Sequence, residues 1–270
     1  MEKTIPTTHA EVAVSDSASD GPPVLFLHGN SVSKEVFRNQ TTNDLARRWR
    51  IVAMDLPGHG ASGNAKEPER SYTVPGYADA AREVLDQLEI ERAAVVGISL
   101  GGHVGIEMMA RSLGVSGLFI TGSPAVSPGM EGFAQAFQPM ELAPLLGQAE
   151  LTDEEAAKFV GATLGESHSE EFLPAVLRTD HAARPALFGA LMQGEGANQR
   201  EAVETSEIPL AVVNGALDQF VNHEYVGSLQ YANLWRGCVH SLAGLGHAPF
   251  LESPATYNAL LAEFLEDVWA

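Results

Sequence analysis

Val95-Val96-Gly97-Ile98-Ser99-Leu100-Gly101-Gly102 joins an apolar, β-branched run to a Gly-x-Ser-x-Gly pentapeptide, and a helix-compatible run through His103, Val104, Ile106, Met108 and Met109 follows. Glycines two before and two after Ser99 remove the side chains that would collide in a sharp strand-to-helix turn. The serine Oγ then projects from the strand end on a strained backbone, with a helix N-terminus beneath it. A serine hydroxyl is a poor nucleophile at neutral pH and needs a base whose tautomer a carboxylate holds. Asn214-Gly-Ala-Leu-Asp218 and Gly246-His247-Ala-Pro-Phe250 place an acid and an imidazole just past two later apolar runs. The chain order is Ser99, Asp218, His247, one of the known orders for nucleophilic acyl transfer.

Eight further histidines need other roles. His28 precedes a glycine at a strand end and supports the turn there. His103 lies one helical turn past Ser99 and reads as a packed, hydrogen-bonded helix residue. His59 lies in a turn, and His9, His168, His181, His223 and His240 have no neighbouring signature. Asp55, in an Asp-x-Pro-Gly-x-Gly turn, and Asp79, on an early helix, are the rival acids. Charge developing on a substrate carbonyl needs two backbone N–H donors, and losing one typically costs about 3 kcal/mol in the transition state. The Leu100 amide follows the nucleophile at the helix start. The Asn30 amide sits in the glycine turn that ends Leu25-Phe-Leu-His28-Gly29-Asn30.

These groups must be held by a rigid frame. Pro23 to Leu27, Arg50 to Met54, Ala93 to Val96, Gly117 to Thr121, Pro209 to Val213 and Cys238 to Leu242 are short apolar runs that read as buried strands. Helix-period segments lie between several of them, such as the stripe Tyr77, Ala81, Val84, Leu85, Leu88, which implies parallel pairing and an α/β architecture. Ser253 and Pro254 open a last helix whose apolar face is Tyr257, Leu260, Leu261, Phe264, Leu265 and Val268. Ser15 to Asp20 reads as a polar turn.

From Pro124 to Glu207 the alternation stops, and helical periodicity continues without a convincing strand. The expected organisation is a core of residues 1–123 and 208–270 with a helical cap of residues 124–207. The cap is too apolar for a connecting loop. Most of its apolar side chains should make its own core; the candidates for substrate contact are Phe133, Phe137, Met140, Phe159 and Phe188, with His28 and Phe220 from the sheet side.

Length and composition agree with one enzyme-sized core: 270 residues, 45% hydrophobic and 19% charged. Thirty-five acidic against 16 basic side chains give a net charge of −19, which repels phosphate backbones and anionic headgroups over roughly a Debye length of about 8 Å. Neither nucleic acid nor a membrane surface is the expected partner. Cys238 is the one cysteine, which suits a reducing compartment, and the segment from Met1 lacks the apolar stretch of an export signal, so a cytoplasmic location is expected. No Gly-Lys-Ser/Thr loop, Gly-x-Gly-x-x-Gly fingerprint, His-x-His-x-Asp-His or His-Glu-x-x-His occurs, so neither a nucleotide cofactor nor a catalytic metal is expected.

Taken together, His28-Gly29-Asn30, Asp55-x-Pro57-Gly58-x-Gly60-x-Ser62, Gly97-x-Ser99-x-Gly101-Gly102, Gly215-x-x-Asp218 and Gly246-His247 resemble the α/β-hydrolase fold family over nearly the whole chain. Within it, Phe26-Leu-His-Gly-Asn-Ser31, Ser71-Tyr-x-x-x-Gly76-Tyr-Ala-Asp-Ala80, His103-x-Gly-Ile-Glu-Met108, Asn198-Gln-Arg200, Ala211-Val-Val-Asn-Gly215, Asn233-Leu-Trp235 and Gly246-His-Ala-Pro-Phe250 look similar to the metal-independent N-acyl-homoserine lactonases. The resemblance implies opening of the lactone ring of bacterial quorum-sensing signals through Ser99, His247 and Asp218. It also implies a tryptophan where Ile98 stands and a tyrosine hydroxyl where Phe159 stands. A general carboxylesterase or an acylase would use the same three residues, and a ligand-binding receptor would keep the fold with little turnover.

Overall fold

The computed structural model describes residues 1–270. The apolar runs become one eight-stranded sheet: β1 (Glu2–Pro6), β2 (Glu11–Asp16), β3 (Pro23–Leu27), β4 (Arg50–Met54), β5 (Ala93–Ile98), β6 (Val115–Thr121), β7 (Leu210–Gly215) and β8 (His240–Leu242). Their spatial order is β1-β2-β4-β3-β5-β6-β7-β8. From β4 to β8 every pairing is parallel, with Leu25 opposite Val95, Val95 opposite Leu118 and Phe119 opposite Ala211. Every residue of β5 and β7 is buried, as expected for central strands covered on both faces.

Alternation along the strands splits the core into two layers. Leu25, Leu27 and Val95 face α1 (Val74–Gln87) and α2 (Leu100–Ala110). Val24, Phe26 and Val96 face α8 (Pro254–Val268), which buries Tyr257, Leu261, Phe264 and Leu265. Fully burying one such side chain contributes roughly 1.5–3 kcal/mol. Helix α1 starts where Thr73 accepts a hydrogen bond from the Gly76 amide at 3.0 Å. At α8, Ser253 is the residue before the helix but makes no capping bond; its hydroxyl donates to Thr256.

Between β6 and β7 the chain forms α3 (Gly129–Ala136), α4 (Asp153–Leu164), α5 (Ser169–Arg178), α6 (Ala183–Gln193) and α7 (Gln199–Thr205), with short turns between them. Helix α4 carries a full capping box between Thr152 and Glu155. Helix α7 packs against α2, where Gln199 bonds His103.

The N-terminal hairpin departs from the sequence reading. Glu2–Pro6 and Glu11–Asp16 form an antiparallel pair that joins β4, and Ser15 and Asp16 belong to β2 instead of a turn. Asp16 is fully buried because Lys3 (2.7 Å) and Arg50 (2.9 Å) neutralise it. A polar residue at that position hides a strand whose stability comes from tertiary ion pairing.

Candidate active site

Asn30, Ser99, Asp218 and His247 each lie past the carboxyl end of a parallel strand, the rim where open α/β sheets present ligands. Ser99 directly follows β5, at φ 51° and ψ −117°, a region closed to most L-residues. The flanking glycines make it attainable. A Cβ on Gly97 would stand 2.4 Å from the Gly101 carbonyl oxygen, and one on Gly101 would stand 1.9 Å from that of Leu27.

Past β8, His247 Nδ1 meets Asp218 Oδ2 at 2.7 Å. Asp218 accepts from both the imidazole and the backbone, since Oδ1 takes the amides of Phe220 (2.9 Å) and Val221 (3.4 Å). Burial alone would raise its pKa, but the His247 charge and these hydrogen bonds outweigh burial and hold the carboxyl below its ordinary range. It therefore stays an acceptor and fixes the proton on Nδ1, leaving Nε2 as the free base. Two features aim the ring. Phe220 packs edge-on against it, with centroids 4.9 Å apart. Gly122, past β6, makes room for it, because a Cβ there would stand 2.4 Å from His247 Cε1. The rival acids are engaged elsewhere: Asp55 takes the Lys34 and Ala61 amides, and Asp79 pairs with Arg111 at the surface.

Ser99 and His247 share the wall of one cavity of about 120 Å³. No hydrogen bond joins their side chains among the described residues. Asn30 and Leu100 line the same cavity. The turn carrying Asn30 abuts the serine, since a Cβ on Gly29 would stand 3.4 Å from Ser99 Cβ. Opposite them, Phe133, Phe137, Met140, Phe159 and Phe188 come from the β6–β7 connection, and Phe220 from the loop after β7. Phe133 stacks on Phe137 with centroids 4.5 Å apart. The enclosure is largely hydrocarbon, with few polar groups on the sheet side, as in sites that bind an apolar tail and orient one polar head.

His28, expected also at the substrate, is not among the lining residues. It is fully buried, its Nδ1–H donates to the Gly29 carbonyl at 2.7 Å, and its Nε2 accepts the Leu56 amide at 2.9 Å. Both ring nitrogens are used within the protein, so the residue braces the Asn30 turn. Burial keeps it neutral, lowering its pKa.

The roles of two residues escaped the sequence reading. His103 is the packed, hydrogen-bonded helix residue expected, its Nδ1 on Gln199 Oε1 at 2.8 Å, but its place in the cavity wall was not read. Arg184 on α6 is only 1% exposed and donates to Ser31 Oγ (2.8 Å), Ala149 O (3.2 Å) and Val176 O (2.5 Å). Its position, one turn from Leu187 and Phe188 of the wall, was the available signal.

Among the described residues, no three His, Cys, Asp or Glu side chains converge as a metal site requires, and no helix is long and apolar enough to cross a membrane. A sequence model described as the alpha/beta hydrolase family matches residues 24–260. The chain is 41% identical to the N-acyl homoserine lactonase AidH in a crystal structure with N-butanoyl homoserine, over 99% of this chain and 97% of that one, with a TM-score of 0.96. It is 27% identical to the pimeloyl-[acyl-carrier protein] methyl ester esterase of Neisseria meningitidis, over 91% of this chain and 94% of the other. Esterase RhEst1 from a Rhodococcus species, at 22% identity and a TM-score of 0.79, shares the fold.

Proposed function

The chain belongs to the alpha/beta hydrolase family, and we propose that it opens the lactone ring of N-acyl homoserine lactones through Ser99, His247 and Asp218. The observation that carries this reading is the Asp218–His247 pair at 2.7 Å beside a strained Ser99, in an apolar cavity. The 41% identity to a lactonase over almost the entire chain supports the substrate class. The β6–β7 helices act as the cap.

Rotation of the Ser99 side chain brings Oγ to His247 Nε2. Oγ attacks the ring carbonyl as Nε2 takes the hydroxyl proton, and the Asn30 and Leu100 amides receive the oxyanion. The acyl–O ring bond breaks, and His247 returns the proton to the departing alkoxide. That alcohol stays tethered to the acyl-enzyme and can attack again. Turnover therefore requires His247 to activate water before the ring re-closes. Water adds to the acyl carbon, the Oγ ester breaks, and N-acyl homoserine leaves as a carboxylate that the −19 chain repels. In the cap, each desolvated methylene contributes about 0.8 kcal/mol.

Chromatography of the product tests the reading. Acidifying N-acyl homoserine restores the starting lactone, whereas release of free fatty acid and homoserine lactone would identify an acylase and overturn it. Activity on p-nitrophenyl esters with none on lactones would assign a carboxylesterase. Failure of a fluorophosphonate to label Ser99 would assign a binding protein.

A further inference from the structure

The cavity has an acceptor that ring opening does not use. Its polar side chains are Asn30, Ser99, His103, Thr163 and His247. Ser99 and His247 are committed to the reaction. Asn30 Oδ1 accepts from the Ser31 hydroxyl, and the Thr163 hydroxyl turns back to donate to Phe159 O at 2.7 Å within its own helix. His103 remains. Only 8% of it is exposed, and its Nε2 has no hydrogen-bond partner among the described residues.

The tautomer follows from the far edge of the ring. Gln199 Oε1 accepts the Val126 amide at 3.4 Å, and Gln199 Nε2 donates to the His103 carbonyl at 3.5 Å, which fixes which end of the side-chain amide is oxygen. His103 Nδ1, 2.8 Å from that oxygen, must therefore carry the hydrogen. Nε2 then bears a lone pair. Gln199 does not line the cavity and His103 does, so the Nδ1 edge points away and the Nε2 edge points in. Desolvation keeps the ring neutral, depressing its pKa against the opposing effect of the Gln199 bond.

We propose that His103 Nε2 accepts a hydrogen bond from the N–H of an amide adjoining the scissile ester, making His103 a specificity-determining residue. The inference rests on the lactonase reading for the identity of the ester. A substrate with an N–H satisfies an acceptor that faces the cavity. One with only carbons there strips water from Nε2 and returns nothing, the circumstance in which a site rejects a near-isostere.

The test compares N-hexanoyl homoserine lactone with its analogue carrying CH2 in place of the N–H. A second pair, N-hexanoyl glycine methyl ester and its CH2 analogue, uses open-chain esters. For each pair the readout is the ratio of kcat/KM. The wild type should prefer the N–H member by about tenfold or more, the size of one neutral hydrogen bond. His103→Asn keeps an N–H for Gln199 while withdrawing the acceptor at the Nε2 position, and should bring the ratio to within about twofold of unity. His103→Gln restores an oxygen there and should recover part of the preference. Both variants are checked by thermal unfolding. An unchanged ratio in folded His103→Asn overturns the assignment, as does a ratio lost instead in Thr163→Val. If the wild type opens neither lactone but shows the preference on the methyl esters, the lactonase reading fails and the role of His103 stands. If it hydrolyses neither pair, both fail.

Discussion

Arg184 Nε donates to Ser31 Oγ across 2.8 Å, and the Ser31 hydroxyl in turn donates to Asn30 Oδ1 at 3.1 Å. A helix of the β6–β7 connection thus grips the turn proposed to bind the oxyanion. No carboxylate pairs with this guanidinium among the described residues, and burial lowers its pKa to about 10. Arg184→Met would leave Ala149 O, Val176 O and Ser31 Oγ short of a donor. A loss of about 3 kcal/mol in urea unfolding is expected, near the cost of orphaned buried acceptors. Ser31→Ala should keep the fold and lower kcat more than it raises KM, since the turn matters most once charge reaches the carbonyl oxygen. A pure KM effect would assign Ser31 to binding.

On the mechanism above, Ser99→Ala, His247→Ala and Asp218→Asn each lower kcat by about 10³-fold or more while circular dichroism stays unchanged, and the losses do not add when combined. Full activity in Asp218→Asn would move the acid elsewhere.

The interior holds histidines that burial keeps neutral. Desolvation depresses His28 and His103, and drives His59 well below its ordinary value, with the neighbouring His28 contributing. Folded pKa values lie below the unfolded value of about 6.5, so the unfolded chain binds the extra protons. The stability these residues contribute is complete above about pH 6.5 and is lost as pH falls toward the folded values. Urea midpoints should therefore decline below pH 6.5, before the carboxylates titrate. His59 Nε2 has no partner and Nδ1 bonds only Pro57 O, so His59→Phe should reduce that slope. An identical slope would show that His59 takes up its proton without unfolding.

Phe133 and Phe188 wall the cavity, so on the proposed function they set the acyl-chain length at which kcat/KM peaks. Phe133→Ala or Phe188→Ala should move the peak toward longer chains; an unmoved profile would place the tail elsewhere.

Local chemistry made much of this legible. Strands β3 to β7 are continuous apolar runs because both faces are covered, and Ser99 is betrayed by glycines that nothing else in a strand-to-helix turn requires. The β1–β2 hairpin was not legible, because a strand ending in Asp16 looks like a turn until Lys3 and Arg50 arrive from elsewhere in the fold. The packing and hydrogen bonding of His103 were legible, but its place in the cavity wall was not: only the placement of Gln199, 96 positions away, reveals which ring edge is left over. Arg184 was not singled out because its acceptors, Ser31, Ala149 and Val176, come from separate segments that only the fold brings together. These are long-range facts that local patterns do not encode.

The excursion from Thr121 to Leu210 leaves the sheet at the carboxyl end of β6 and, because β7 runs parallel beside it, re-enters at the amino end of the neighbouring strand. The reactive groups sit outside that detour, while most of the hydrocarbon enclosure belongs to it. Exchanging this stretch for that of a relative is therefore a two-joint graft, able to retarget the chemistry while leaving Ser99, Asp218 and His247 in place. The Arg184–Ser31 and Gln199–His103 contacts, with those of Arg178 to Gly58 and Asp180 to Tyr72, are among the seams such a chimera would have to rebuild.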